Sequence, residues 1–135
     1  MPRRSKEEAV TQTRTLREAV LEALYEAEVK GESSPQELKR SRSAFVAERI
    51  AGVHAGKAEI DSLLSKHLIG WEISRVTAVD LSIMRLGIWE LMAKPDVPTG
   101  VILSEATRLA DRYSTGESAK FVNGVLSAAA AEIRP

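Results

Sequence analysis

Few side chains in this sequence are of types that could catalyse a reaction. His54 and His67 are the two histidines, and their spacing fits neither a metal site nor a catalytic triad. Asp80 and Glu90 would stand about 15 Å apart along one helix, too far to share acid–base work. The chain has no cysteine, which removes thiol nucleophiles and zinc–thiolate sites. We therefore predict a protein that is not an enzyme and holds no metal or cofactor.

The N-terminal region instead carries the charge needed to bind phosphate. Residues 1–17 have a net charge of +3 and the remainder −3, within a chain of 19 basic and 19 acidic residues. A basic arm on a mildly acidic body is typical of nucleic-acid binding, although a solvated tail has the same composition. Arg14 and Arg17 share one helix face, where they could clamp neighbouring phosphates or pair with acids, for instance Arg14 with Glu18. The basic residues here are Arg3, Arg4, Lys6, Arg14 and Arg17.

The elements that would position these residues are helices, as the spacing of the apolar residues indicates. Apolar residues recur at three- and four-residue steps almost throughout, which predicts an all-α, compact helical bundle of five to seven helices. One long helix is expected from about residue 44 to Gly70. Gly52 and Gly56 inside it cost about 1 kcal/mol each, which favours close approach of another helix. We divide the chain into a basic, flexible arm, residues 1–13, and a single domain, residues 14–135.

The sequence also predicts where the protein works. No apolar run approaches the roughly 18 residues that span a bilayer, and no apolar core follows the basic residues at the start. The absence of cysteine suits a reducing compartment. We expect a cytoplasmic protein with no membrane partner.

Several short motifs, taken together, resemble one known family. The most specific is KFVNGVL at residues 120–126. In the same order as in that family, the chain has LREA at 16–19, GVH at 52–54, WEISR at 71–75 and WEL at 89–91. These motifs are similar to those of the NusB family of transcription antitermination factors, and the resemblance covers residues 14–128.

The resemblance implies a NusB-like helical fold without catalytic activity. Family members bind a short single-stranded leader RNA, boxA, together with a small-subunit ribosomal protein, NusE. They join the antitermination complex of RNA polymerase, particularly during ribosomal RNA synthesis. By the same resemblance Asp80 is a partner-binding residue. The implied RNA-binding residues are Arg3, Arg4, Lys6, Arg14, Arg17, Tyr25, Glu117, Lys120 and Phe121.

Alternative roles remain for individual residues. Tyr25 and Phe121 could be platforms for stacked bases or core aromatics, since single-stranded RNA is held by both cations and rings. Asn123 and Gly124 are interpreted as structural, the glycine because it permits close helix contact. Trp71 is expected to be a core or interface anchor.

Two alternative functions also remain. One is a protein–protein interaction module or homodimer without strong RNA binding of its own. The other is the amino-terminal domain of a ribosomal RNA cytosine methyltransferase, which we disfavour because no methyl-donor-binding domain follows before Pro135.

Overall fold

A computed structural model describes residues 5–31 and 43–135, and most of these residues are helical. They contain six α-helices, one short 3-10 helix and no strand, so the predicted all-α bundle of five to seven helices is confirmed. None of the helices in these ranges is long and apolar enough to cross a membrane. The helices are α1 (Lys6–Lys30), α2 (Ala44–Ala55), α3 (Lys57–His67), the 3-10 helix (Ile73–Arg75), α4 (Ala78–Ala93), α5 (Thr99–Tyr113) and α6 (Gly116–Ile133).

The first helix begins before the boundary that we placed at residue 14. Ser5 caps α1, because its Oγ accepts a hydrogen bond from the Glu8 N–H at 3.1 Å and the Glu8 carboxylate accepts one from the Ser5 N–H. This capping box satisfies two N–H groups that a helix start leaves unpaired. Residues 6–13 therefore form the first turns of α1 rather than part of a flexible arm. Residues 1–4 lie outside the described ranges.

Two glycines shape the segment that we expected to be one long helix. That expectation is wrong, because α2 ends at Ala55 and α3 begins at Lys57. Gly56 separates the two helices with φ −95° and ψ 10°, outside the α-helical range. Gly52 lies against α4, where an added Cβ would stand 2.1 Å from the indole Nε1 of Trp89. The close helix approach predicted at Gly52 is confirmed.

Helix α4 is the centre of the bundle. Every residue from Asp80 to Leu91 is buried, and α1, α2, α3, α5 and α6 all pack against this helix. A helix buried on all sides is expected to be apolar all round, whereas α4 also carries Asp80, Arg85 and Glu90. Buried charges are costly unless they are paired, so the neighbouring helices have to supply their partners.

Helices α5 and α6 pack against each other and against α4. Thr115 caps α6, because its Oγ1 accepts a hydrogen bond from the Ser118 N–H at 3.0 Å. This cap fixes the helix start, and it places Lys120 and Phe121 in the first two turns of α6. The most specific motif of the sequence resemblance, residues 120–126, therefore runs from the second turn into the middle of the last helix.

Candidate functional site

Arg17, one of the predicted RNA-binding residues, lies in the protein interior. Its Nε donates to Oε1 of Glu90 at 3.1 Å and its Nη2 to Oε2 at 2.9 Å, and its side chain is only 4% exposed. Arg49 of α2 reaches the same carboxylate, with Nη2 3.1 Å from Oε2. The prediction that Arg17 lies on an RNA-binding face is therefore corrected, because this guanidinium neutralises a buried glutamate.

The buried ion cluster continues to an aromatic ring and a second glutamate. The Arg49 guanidinium lies 3.4 Å from the centroid of the Phe45 ring, close enough for a cation–π interaction. Glu105 of α5 is buried and lies 3.9 Å from Nη1 of Arg17. Sequence reasoning missed this cluster, because its members are contributed by four helices and share no local pattern.

Arg14 remains at the surface. Its side chain is 47% exposed and its Nε lies 3.2 Å from Oε1 of Glu105. The pairing with Glu18 that we considered is not formed, since Glu18 instead accepts from Arg108 at 3.1 Å. The two-arginine clamp on phosphates is therefore absent in this structure, whereas Arg14 alone stays accessible.

Two other predicted residues of α1 are exposed. Lys6 lies in the first turn, and Tyr25 is 41% exposed. Of the two roles considered for Tyr25, an accessible ring fits this position and a core aromatic does not. Arg3 and Arg4 lie outside the described residues.

The start of α6 presents the predicted residues Glu117, Lys120 and Phe121. Glu117 and Lys120 are exposed, and Phe121 is half-buried against the core. The Phe121 ring packs on Trp71, with ring centroids 5.9 Å apart and planes inclined at 55°. Trp71 is 55% exposed. A large exposed aromatic beside a second ring is typical of a binding surface, so Trp71 joins the candidate site.

Asp80, the predicted partner-binding residue, lies in the first turn of α4 and is only 5% exposed. Its Oδ2 accepts a hydrogen bond from Ser118 Oγ at 2.9 Å, which connects α4 to α6. Its Oδ1 is buried and has no hydrogen-bond partner among the residues that the structure describes. Such an unpaired carboxylate oxygen is unusual in a protein interior.

The structure brings some of the predicted residues together and leaves others apart. Asp80, Glu117 and Phe121 line one open pocket of about 370 Å³, which we call the α4–α6 pocket. Arg14, Tyr25 and Lys120 are not among its lining residues. Sequence reasoning did not predict that RNA-binding and partner-binding candidates would share a pocket. The remaining lining residues are Trp71, Arg75, Val76, Thr77 and Ser118.

Two further residues of the 120–126 motif differ in what they do. Asn123 Nδ2 donates to Thr107 Oγ1 on α5 at 3.2 Å, a structural role as expected. Gly124 is exposed, and an added Cβ would meet no atom within 4 Å. The prediction that Gly124 permits close helix contact is therefore wrong.

The histidines pair with ordinary surface groups or line a shallow cavity. His67 Nε2 lies 2.8 Å from a carboxylate oxygen of Glu132, and hydrogen bonds from His67 and Lys66 lower the pKa of that carboxyl. His54 lines a small pocket formed by α1, α2 and α4 and the first residue of α3. Within residues 5–31 and 43–135, no three His, Cys, Asp or Glu side chains are grouped so that they could hold a metal ion.

Comparison with known proteins gives one consistent result. Residues 13–131 match the family model of the NusB family. The chain is 41% identical over 127 residues to the transcription antitermination protein NusB of Clavibacter michiganensis subsp. michiganensis (strain NCPPB 382), covering 85% of this chain and 93% of that protein. The structure superposes on T. maritima NusB with a TM-score of 0.82 and 32% identity, over 90% of this chain and 92% of that one. It also superposes on a crystal structure of antitermination factors NusB and NusE in complex with dsRNA, with a TM-score of 0.76 and 27% identity, over 89% and 96% of the two chains. This chain belongs to the NusB family.

Proposed function

We propose that this chain is a transcription antitermination factor that binds boxA-type single-stranded leader RNA together with the small-subunit ribosomal protein NusE. It would act within the antitermination complex of RNA polymerase, in the cytoplasm, and support ribosomal RNA synthesis without catalysing a reaction. The observation that carries the proposal is the near full-length match to a structure of NusB and NusE with RNA.

Side chains with the right chemistry for RNA lie exposed on α1 and α6. On α6, Lys120 offers a charge for a phosphate, and the Phe121 ring beside Trp71 offers a surface for an unstacked base. On α1, Arg14 and Tyr25 offer the same two kinds of group. Arg17 is not part of this proposal, because its charge is already used by Glu90.

The decisive experiment is a titration of fluorescent boxA-like RNA, with a scrambled RNA of equal length as control, with and without NusE. Single-stranded and double-stranded forms should both be tested, since the related complex contains dsRNA. We expect the single-stranded boxA-like RNA to bind more tightly than the scrambled RNA, and NusE to strengthen that binding. Equal binding of both RNAs in the presence of NusE would contradict the proposal.

Variants test which side chains contact the RNA. Lys120→Ala should weaken binding and reduce the slope of log affinity against log salt by about 0.7, the value for one phosphate contact on a single strand. Tyr25→Ala should cost about 1–3 kcal/mol if a base stacks on this ring. The matched control is Lys66→Ala on α3, which also removes an exposed lysine, one that is paired with Glu132 at 3.2 Å. If Lys66→Ala weakened RNA binding as much as Lys120→Ala, only the overall charge of the protein would matter, and not a contact at Lys120.

A further inference from the structure

We propose that RNA bound at Arg14 continues along the groove between α1 and α5, where Arg108 and Arg112 bind one further backbone phosphate. This inference rests on the proposed function and adds to it, because these two arginines lie outside the motifs shared with the NusB family. Three observations carry it: a row of ion pairs that ends at exposed arginines, an unpaired buried donor on Arg108, and the position of Arg112 near the start of α6.

The first observation is a row of alternating charges that connects α1 to α5. Glu105 accepts a hydrogen bond from Arg14 Nε at 3.2 Å and one from Arg108 Nε at 3.1 Å. Glu18 accepts one from Arg108 Nη1 at 3.1 Å and lies 3.6 Å from Nη1 of Arg112. We call these five residues the α1–α5 ladder. Its three arginines outnumber its two glutamates, so the ladder has a net charge of +1 and a positive residue at each end.

Both ends of the ladder present donors to solvent. Arg14 bonds Glu105 through Nε alone, so its two Nη groups make no hydrogen bond to the residues that the structure describes. Arg112 is 61% exposed, and its contact with Glu18 is too long for a hydrogen bond. A guanidinium with free donors can bind a phosphate through two parallel hydrogen bonds. Each end can therefore bind a phosphate, whereas only the Arg14 end belongs to the RNA surface described above.

The second observation is a donor without a partner in the middle of the ladder. Nη2 of Arg108 is buried and has no hydrogen-bond partner among the described residues. A buried donor on a charged group is costly to leave unpaired, and proteins rarely keep one. A phosphate in the place of the Glu18 carboxylate would accept from Nη1 and Nη2 of Arg108 and would also contact Arg112. A bound phosphate would thus pair a donor that the protein alone leaves unpaired.

The third observation is that Arg112 lies between the two groups of RNA-binding candidates. It is in the last turn of α5, and α6 begins at Gly116, four residues later. From Glu105 to Arg112 the ladder runs about 10 Å along α5. A strand that follows the ladder would therefore pass from Arg14 on α1 towards Lys120 on α6. The two groups of candidate residues would then bind one continuous RNA strand.

The first test is Arg112→Met, with titration of fluorescent boxA-like RNA over a range of salt concentrations. One phosphate contact on a single strand contributes about 0.7 to the slope of log affinity against log salt. We expect Arg112→Met to lower the slope by this amount, so that its loss of affinity is about fivefold larger at 0.1 M salt than at 1 M. The matched control is Lys66→Met, because Lys66 is 58% exposed and also pairs with a glutamate. It should leave the slope unchanged.

Glu18→Gln tests the ladder through an effect of the opposite sign. It removes the carboxylate that competes with a phosphate for Arg108 and Arg112. The matched control is Glu22→Gln, since Glu22 lies one turn further along α1, is exposed and forms no ion pair with the described residues. Both variants remove one negative charge from the same helix. We expect Glu18→Gln to bind RNA about two- to fivefold more tightly than Glu22→Gln, which corresponds to the loss of an ion pair of this kind.

A double-mutant cycle then locates the phosphate. RNAs that each carry one uncharged methylphosphonate linkage are compared on the wild type and on Arg112→Met. One linkage should weaken binding to the wild type and have no further effect on Arg112→Met, as expected for two groups in direct contact.

Equal salt slopes for Arg112→Met and Lys66→Met would overturn this inference and leave the proposed function intact. A loss of NusE binding by Arg112→Met, with RNA binding unchanged, would overturn it in favour of a protein contact. If Glu18→Gln lowered the urea midpoint without binding RNA more tightly than Glu22→Gln, the ladder would only hold α1 on α5, and the inference would be wrong. Failure of the wild type to prefer boxA-like RNA over the scrambled RNA would overturn the proposed function as well.

Discussion

Replacing Arg17 by methionine should destabilise the protein strongly, whereas the same change at Arg14 should not. Arg17 lies in the buried pair with Glu90, with side chains only 4% and 2% exposed and an Nη2–Oε2 distance of 2.9 Å. Removing one member of a buried pair costs about 3–5 kcal/mol, because an uncompensated charge stays inside. Arg49 still contacts Glu90 at 3.1 Å, so we expect the lower end, about 3 kcal/mol.

The comparison with Arg14 makes this prediction specific. Arg14 is 47% exposed, and although its partner Glu105 is buried, Glu105 keeps a hydrogen bond from Arg108 at 3.1 Å, so we expect a loss of only about 1 kcal/mol. Both variants replace arginine by an unbranched apolar side chain on the same helix, so helix propensity changes little. The difference between them therefore measures the effect of burying the ion pair.

Urea unfolding followed by circular dichroism provides the assay. With about 1–3 kcal/mol per molar urea, Arg17→Met should lower the midpoint by about 1 M or more and Arg14→Met by much less. At temperatures where both variants are folded, Arg14→Met should weaken RNA binding more than Arg17→Met. Equal stability of the two variants, with a larger RNA defect for Arg17→Met, would refute the assignment of Arg17 to the interior.

Three further predictions concern the bundle itself. Gly52→Ala should destabilise the bundle by about 2 kcal/mol or more, because the new Cβ overlaps the indole of Trp89. Gly124→Ala should stabilise it by up to about 1 kcal/mol, because the new Cβ meets open space and alanine favours the helix. Thermal melts of the two variants measure both effects. The Arg134 guanidinium donates to four backbone carbonyls and one hydroxyl between Glu90 and Thr99. Arg134→Met should therefore lower the free energy of unfolding by about 1.5–3 kcal/mol and speed amide hydrogen exchange near the end of α4. A hydrogen bond from Arg85 lowers the pKa of Glu28 in the folded protein below its value in the unfolded chain. The ionised Glu28 therefore stabilises the fold at pH values above the unfolded pKa, and this stabilisation is lost as the pH falls through the folded pKa. Glu28→Gln should remove this part of the acid dependence of the urea midpoint.

The sequence predicted the bundle because helical periodicity is a local property. Apolar residues at three- and four-residue steps establish each helix from its own stretch of chain. The approach at Gly52 was also predictable, since a glycine inside a helix is costly unless something packs against it. The start of α1 had a local signal too, the Ser5 and Glu8 capping box, which was not used.

The candidate site was less predictable because its members come from distant parts of the chain. Arg17 and Glu90 are 73 positions apart, and nothing near Arg17 distinguishes a buried arginine from an exposed one. Asp80 and Ser118 meet across 38 positions for the same reason. Trp71 had no clear local signal for exposure, because it follows Gly70 in a mostly apolar segment, residues 68–73, yet its side chain is 55% exposed.

The most direct test of the central claim is terminator read-through by RNA polymerase in a reconstituted reaction that contains NusE. Templates should carry either a boxA leader or a scrambled leader upstream of the terminator. Our account predicts that this chain raises read-through on the boxA template and not on the scrambled one, and that Lys120→Ala reduces the effect. Equal read-through on both templates would contradict it.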